Sequence, residues 1–329
     1  MVKDRHSAGR TTVIADTPGD ADSAGLDGVE PIPGFAFNPP TTPVAGFETM
    51  ELAALRRRVP DGSLERVHRV AFHALTLITE GTGGHTVDFV THPCRPGTLL
   101  WVRPGQVQRF GPAEALNGTH LLFTAAFPPL FAGADHLLTD WYAPVCRQLG
   151  AGREYATLST LLAQLTAEYD RPADSVSGEI LRYLLAAVLL QIDRLPHPDG
   201  DSGGDGGEVY ARFCAELERS YATTRRAEDY ARHLGFTVKT LTRACVAATG
   251  QSVKQVIDGR VGLEAQRLLA HTDAPVGVVS RRLGFSQPTN FGKFFIRLTG
   301  ATPGDFRREH RGPAASGLSW RTARPGRSA

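Results

Sequence analysis

Between residues 64 and 124, apolar positions come in short runs separated by turn residues. Residues 67–70, 74–78, 86–90, 98–102 and 120–124 have the length and composition of strands, with breaks at 80–84, 92–97 and 104–105. Several short strands at this spacing predict a β-sandwich or small barrel. After Pro128 the period becomes helical, and residues 155–169 and 175–195 carry apolar side chains three and four apart. In the second of these helices Val176, Ile180, Leu181, Leu184, Leu185, Val188, Leu189 and Ile192 form a wide stripe. A stripe of that width needs a partner: its own barrel, or the same helix of a second subunit. Residues 208–221 and 252–270 read as further helices.

Around the last of these helices a second pattern repeats. Leu283-Gly284-Phe285-Ser286 is followed by Gln287-Pro288-Thr289-Asn290-Phe291-Gly292-Lys293-Phe294-Phe295, which reads as a helix end, a Gly turn, a cap and a new helix. That order predicts a helix-turn-helix whose second helix can enter a DNA major groove. Leu234-Gly235-Phe236-Thr237 stands 49 residues earlier, and Thr249-Gly250 stands 50 residues before Thr299-Gly300. In each unit Gly takes the turn that it alone adopts cheaply, Phe is expected between the helices, and Thr237 or Ser286 is expected to cap the next helix. Asp273 and Pro275 suit the start of the helix leading into the second unit.

The first recognition helix then offers Val238, Lys239, Thr240, Thr242 and Arg243 outward, with Leu241 and Cys245 inward. The second offers Gln287, Thr289, Asn290 and Lys293, with Phe291, Phe294 and Phe295 as core. Arg and Lys read guanine edges, Asn and Gln read adenine, and Thr touches the thymine methyl. Lys254, Arg260, Arg281, Arg282, Arg297, Arg307 and Arg308 are placed as phosphate contacts, which hold register without reading sequence. Gly262 interrupts the helix joining the units, and Gly292 lies inside the second recognition helix, where Gly costs about 1 kcal/mol against Ala. Pro288 falls in a first helical turn, where Pro is tolerated.

Charge separates the chain in the same way. The net charge of +2 hides 16 Lys and Arg against 24 Asp and Glu up to Gly207, and 17 against 10 from Glu208 to Arg311. A net of −8 joined to a net of +7 implies that the second part is the one that meets a polyanion. The sign changes at residues 196–207, Pro-His-Pro-Asp-Gly-Asp-Ser-Gly-Gly-Asp-Gly-Gly, a flexible linker by composition. Residues 1–30 and the tail after Arg311 have the composition of disordered segments. Between residues 31 and 47 lies a Pro-rich arm with Phe35, Phe37 and Phe47, which either docks on the domain or stays a mobile leader. Cys94, Cys146, Cys214 and Cys245 form no CxxC pair, which fits a reducing cytosol and speaks against a metal or disulfide framework. No signal peptide is readable, and the most apolar run, 183–190, is too short to span a bilayer.

Residues 210–308 resemble the DNA-binding domain of the AraC/XylS family of bacterial transcription regulators. The segments YARHLGFTVKTLTRACVAATGQS and RVGLEAQRLLAHTDAPVGVVSRRLGFSQPTNFGKFFIRLTGATPGDFRR carry the resemblance. It implies seven helices with two helix-turn-helix units and binding to double-stranded promoter DNA. Base-reading positions carried over fall on Lys239, Thr242, Arg243, Thr289 and Lys293.

The resemblance also implies a cupin-like sensor domain, through residues 85–89 and 96–108. His85 has no partner His two residues on, and Gln108 stands where a ligating His is expected after Pro-Gly, so the barrel reads as metal-free and without a cofactor. His73, Trp101 and Gln108 are the candidate lining residues for a small ligand, although His73 also fits as a hydrogen-bonded structural residue.

The expected fold is therefore α+β and multidomain. A β-rich cupin-like barrel with helices occupies 48–195, and an all-α domain with two helix-turn-helix units occupies 208–311. The expected function is a cytoplasmic, homodimeric, ligand-controlled transcription activator rather than an enzyme, with promoter DNA and RNA polymerase as partners and no membrane. Two rival readings are a cupin-type metalloenzyme with an accessory basic domain, and a regulator whose barrel only dimerises.

Overall fold

The computed structural model describes residues 32–35, 44–59, 62–111, 116–129, 137–138, 143–195 and 206–310. The leader, the tail, residues 196–205 of the linker, and Phe37, Pro39, Pro40 and Pro43 of the arm lie outside the described residues.

Two five-stranded sheets face each other. One has the order β1 (Gly34–Phe35), β3 (His68–Val70), β8 (Val107–Phe110), β5 (Gly83–Val87) and β6 (Val90–Cys94). The other has the order β10 (Cys146–Gln148), β7 (Thr98–Val102), β4 (His73–Glu80), β9 (Asn117–Phe123) and β2 (Phe47–Glu51). Strand β1 runs parallel to β3, and the remaining pairs are antiparallel. A short helix, α1 (Leu52–Arg58), follows β2. The arm docks where it is described: Phe35 sits edge-on to His68 at 4.6 Å between ring centroids, and Phe47 is fully buried against Phe127.

Strand alternation sorts the central side chains into two cores, because neighbouring residues point to opposite faces. Leu75, Leu77, Leu99, Trp101, Leu121 and Phe123 face away from the first sheet and pack with Leu158, Leu162 and Leu165 of α2 (Arg153–Tyr169) and Leu181, Leu185 and Leu189 of α3 (Ser177–Asp193). Ala74 and Val102 meet Val70 and Val87 between the sheets, as Ile78 and Leu100 meet Phe110 and Cys94. The wide stripe on α3 therefore uses one side on its own barrel. The strand expected over residues 86–90 is instead the tip of a hairpin: β5 ends at Val87, β6 begins at Val90, and these two residues pair.

Seven helices make the second body: α4 (Gly206–Ser220), α5 (Ala227–Leu234), α6 (Val238–Thr249), α7 (Val253–His271), α8 (Val276–Arg282), α9 (Pro288–Thr299) and α10 (Pro303–His310). Helix α7 starts on a capping box in which Ser252 accepts from the Gln255 N–H and the Gln255 side chain accepts from the Ser252 N–H. Such a box satisfies two donors that a helix start leaves without partners. The core runs along α7, with Val256, Ile257, Val261, Ala265 and Leu269 fully buried among Phe213, Tyr230, Leu241, Phe291 and Phe295. Gly262 is part of this packing rather than a break in the helix, since a Cβ there would lie 2.7 Å from Leu298 Cδ1 of α9.

Candidate nucleic-acid interface and effector site

The two reader units are built alike. Gly235 closes α5 at φ 71°, in the left-handed region, and Thr237 then caps α6 by accepting from the Thr240 N–H at 3.1 Å. The Thr240 hydroxyl lies 2.9 Å from that of Thr237, so the cap engages part of its hydrogen-bonding capacity. In the second unit Gly284 has φ 72°, and a Cβ there would lie 2.4 Å from the carbonyl oxygen of Ala222. That turn accepts no larger residue. The expected cap by Ser286 is not made: the N-cap position of α9 is Gln287, with no side-chain capping bond, and Pro288 enters the first turn instead.

An offset of 50 residues superimposes the two recognition helices. Leu241 and Cys245 are fully buried, as are Phe291 and Phe295. Burying those positions turns Lys239 and Arg243 outward on α6, and Thr289 and Lys293 outward at the matching places on α9. Gln287 and Asn290 are exposed as well, Thr242 is half-buried, and Gly292 stands where α6 has Thr242. Sequence reading passed over Val246 and Ile296, which also match each other and are 49% and 44% exposed. An exposed apolar residue recurring at one position of both helices is the signal that identifies them, and it suits a thymine methyl.

The basic residues divide. Arg281 and Arg282 are exposed on the last turn of α8. Lys254 and Arg297 are exposed but share the buried carboxylate of Asp258, and Arg308 pairs with Asp305. Arg260 is not a phosphate contact. It is 5% exposed and its guanidinium is held by Glu218 and Glu264. Arg307 is likewise turned inward, donating to the carbonyl oxygens of Leu269 and Ala274.

Inside the barrel, β3, β5 and β8 bring three polar side chains into one line. His85 Nε2 lies 2.9 Å from Gln108 Oε1, Gln108 Nε2 lies 3.1 Å from His68 Nε2, and His68 Nδ1 lies 2.9 Å from the Arg66 carbonyl oxygen. Because a carbonyl oxygen only accepts and the amide NH2 only donates, this order gives His85 its proton on Nε2 and His68 its proton on Nδ1. Among the described residues, His85 Nδ1 is then left as a buried acceptor without a hydrogen-bond partner. On the opposite sheet His120 Nδ1 meets Thr76 Oγ1 at 2.7 Å. Burial pushes the imidazoles down, His85 to about 3 and His120 to about 4, so both are neutral at physiological pH. Among the described residues, no group of three or more His, Cys, Asp or Glu is arranged to hold a metal ion.

Two family models match the chain: an AraC-like ligand binding domain over residues 50–186 and a helix-turn-helix domain over residues 230–309. The chain belongs to the AraC/XylS family of transcription regulators. The HTH-type transcriptional activator RhaR of Mannheimia succiniciproducens is 22% identical over 245 residues, covering 73% of this chain and 86% of its own. RhaS of Escherichia fergusonii is 23% identical over 269 residues, covering 80% and 94%. Among solved structures, fatty-acid-bound ToxT of Vibrio cholerae is 10% identical, with a TM-score of 0.39 over 80% of this chain and 95% of its own. Both relatives, RhaR and RhaS, are HTH-type transcriptional activators.

In this AraC-family regulator the barrel interior differs from its sequence expectation. Gln108 lies within it, but His73 and Trp101 do not. Leu75 pairs with Trp101 across β4 and β7, and both belong to the core shared with α2 and α3. His73 lies on the same face, stacked on Phe123 at 4.9 Å and accepting from Trp101 Nε1 at 3.3 Å. The interior places belong to the other parity, held by Thr76 and His120, with His68 and His85 opposite. A one-residue shift in strand parity moves every side chain to the other face, and that shift is the whole of the error.

Among the described residues, no helix is long and apolar enough to cross a membrane.

Proposed function

We propose that this regulator activates transcription by reading promoter DNA with α6 and α9 while a small effector held in the barrel controls it. Lys239, Thr240, Thr242 and Arg243 read bases in one half of the site, and Gln287, Thr289, Asn290 and Lys293 in the other. Lys254, Arg281, Arg282, Arg297 and Arg308 bind phosphates. Residues 48–195 form the sensor, and residues 208–311 the reader. The working form is a cytoplasmic homodimer that engages RNA polymerase.

The observation that carries this reading is the equivalence of the two recognition helices, each buried through the same positions and exposing polar side chains at the same positions. Binding to a duplex fragment from beside its own gene, measured over a salt series, is the test. The expected result is sequence-selective binding that weakens steeply with salt, because each phosphate contact releases counterions. Binding that ignores both sequence and salt overturns it.

A barrel that only dimerises is the second reading. The buried Nδ1 of His85, which has no hydrogen-bond partner among the described residues, favours an effector over that reading, because a buried polar atom without a partner is costly and a ligand donor would satisfy it. A thermal-shift screen against a metabolite panel separates the two, since a ligand that binds the folded state raises Tm.

A further inference from the structure

The tip of the β5–β6 hairpin holds two residues, Asp88 at φ 46° and Phe89 at φ 71°. Two successive residues with positive φ are what a tight two-residue hairpin turn requires, and sequences normally meet the need with Asn-Gly or Asp-Gly. Phenylalanine in the left-handed region is an outlier that the surroundings must enforce. Asp88 is held from the barrel and from the helical body, and the ring contacts of Phe89 are with the helical body.

Asp88 Oδ1 accepts from Arg267 Nε and Oδ2 accepts from Arg267 Nη2, both at 2.7 Å. Arg267 lies on α7, the helix that joins the two readers, and its side chain is fully buried. Phe89 lies face to face with His271 of α7, at 5.4 Å and 8° between planes, and edge-on to Phe306 and His310 of α10. On the outer face of β3, Arg69 Nη2 donates to Glu264 Oε1 at 2.7 Å. Arg260 and Arg267 reach the other oxygen of that carboxylate. Burial alone would push Glu264 up, but Arg69, Arg267 and Arg260 hold its carboxyl down at about 2.

The same turn is tied into the barrel. Gln106 Nε2 donates to Asp88 Oδ2 at 2.9 Å, and the Val107 N–H donates to Oδ1 at 3.1 Å. Two residues after Gln106 comes Gln108, and three residues before Asp88 comes His85, the hydrogen-bonded pair of the barrel interior. Both strands that carry the interior pair therefore run directly to the Asp88 carboxylate.

We propose that Asp88 and Phe89 are positioning residues: they latch the sensor onto the helix between the two readers, so that the state of the barrel interior sets where the readers stand. The contact combines the Asp88–Arg267 and Arg69–Glu264 ion pairs with the Phe89 ring, packed on His271, Phe306 and His310. Charged groups at such a contact have water as an alternative partner when it opens, and relative motion of two domains is the default across contacts that are not large and apolar. The proposal rests on the reading that α6 and α9 bind DNA.

The test uses the full chain carrying Asp88→Asn and Phe89→Gly together. These residues are the pair a free hairpin prefers at this turn, so a turn with no other role keeps or gains stability. The expected result is the opposite at the level of the whole chain. One cooperative thermal transition divides into two, and cleavage by an Asp-directed protease within residues 196–207 accelerates at least tenfold. Arg69→Ala, which leaves Glu264 two arginines, is expected to shift both readouts in the same direction by a smaller factor.

On a duplex selected from a random pool by the native chain, affinity is expected to change about tenfold with the base preferences intact, as positioning rather than reading predicts. A single transition with an unchanged or raised midpoint and unchanged cleavage overturns the latch. The separation readouts need no DNA. Failure of the native chain to select any duplex would therefore count against the DNA reading and leave the latch to be judged by its own measurements.

Discussion

Arg260 grips Glu218 through two hydrogen bonds, Nε to Oε1 at 2.7 Å and Nη2 to Oε2 at 3.0 Å, and so ties α7 to α4. Arg260 also donates to Glu264 at 3.4 Å and lies 3.9 Å over the Tyr221 ring. Removing one partner of a buried ion pair leaves the other charge uncompensated, at about 3–5 kcal/mol. Arg260→Ala is therefore expected to lower the midpoint of denaturant unfolding, with a loss of unfolding free energy in that range. Arg282→Ala, on an exposed site, is expected to leave the midpoint in place and reduce the slope of log affinity against log salt by about 1. A stable Arg260→Ala protein with the reduced slope would return Arg260 to the phosphate contacts.

The buried histidines make the barrel acid-sensitive. His73 and His85 are pushed down to about 3 and His120 to about 4, each chiefly by burial. In the unfolded chain these imidazoles titrate near 6.5. Between about pH 6.5 and pH 4 the unfolded state thus binds more protons than the folded one. Stability then rises with pH, and it falls on acidification by about 1.4 kcal/mol per pH unit for each such histidine. His73→Phe keeps a ring against Phe123 and removes one titrating group. Urea unfolding at pH 7 and at pH 5 is expected to show a smaller loss for this variant than for the native chain. Equal losses would mean that His73 is protonated in the fold.

Two glycines inside helices separate two causes. A Cβ at Gly292 meets nothing within 4 Å, whereas one at Gly262 meets Leu298 Cδ1 at 2.7 Å. Gly292→Ala should therefore recover helix propensity and raise stability by up to about 1 kcal/mol. At Gly262 part of the same gain is lost in moving the tip of the Leu298 side chain aside. Gly292 also lies on the face that exposes Thr289 and Lys293, so its alanine variant is expected to bind the selected duplex more weakly while melting higher. Stronger melting with unchanged DNA binding would place that part of α9 away from the DNA.

The reader domain was more legible in the sequence than the barrel, for a physical reason. Its signals are local and redundant: Gly235 and Gly284 mark turns that need positive φ, Thr237 and Ser252 cap helices, and the pattern occurs twice. Ser286 failed as a cap, yet Pro288 supplied another signal for the same helix start. Which face of a strand is inside depends instead on one parity choice, and nothing within residues 72–78 settles it. His73 and Trp101 fell on the wrong side for that reason, and His68 and His120 went unnoticed. The Asp88–Phe89 turn was invisible because it lacks the Gly that such turns usually carry; its side chains are held by Gln106 in the barrel and by Arg267 and His271, about 180 residues away. The burial of Arg260 and the inward turn of Arg307 are equally non-local, since Glu218 lies 42 residues from Arg260, and Leu269 and Ala274 lie more than 30 from Arg307.

Helix α3 offers the remaining surface. Leu181, Leu185, Val188, Leu189 and Ile192 are buried on the barrel, but Val176, Ile180, Tyr183 and Leu190 are 52%, 39%, 65% and 44% exposed. With Ala187 they recur at alternating intervals of four and three residues, the seam of a two-helix coiled coil. A second copy of the same helix satisfies such a seam, and a dimer formed there brings two reader domains to two half-sites. Ile180→Glu with Tyr183→Glu would set carboxylates into the seam and leave the barrel-facing side untouched. Sedimentation is expected to find the native chain dimeric and this variant monomeric, with the unfolding transition of the barrel retained. Operator affinity should fall with the loss of the second reader domain, since linked sites bind far more tightly than separate ones. A variant that remains dimeric would move the subunit interface elsewhere on the barrel.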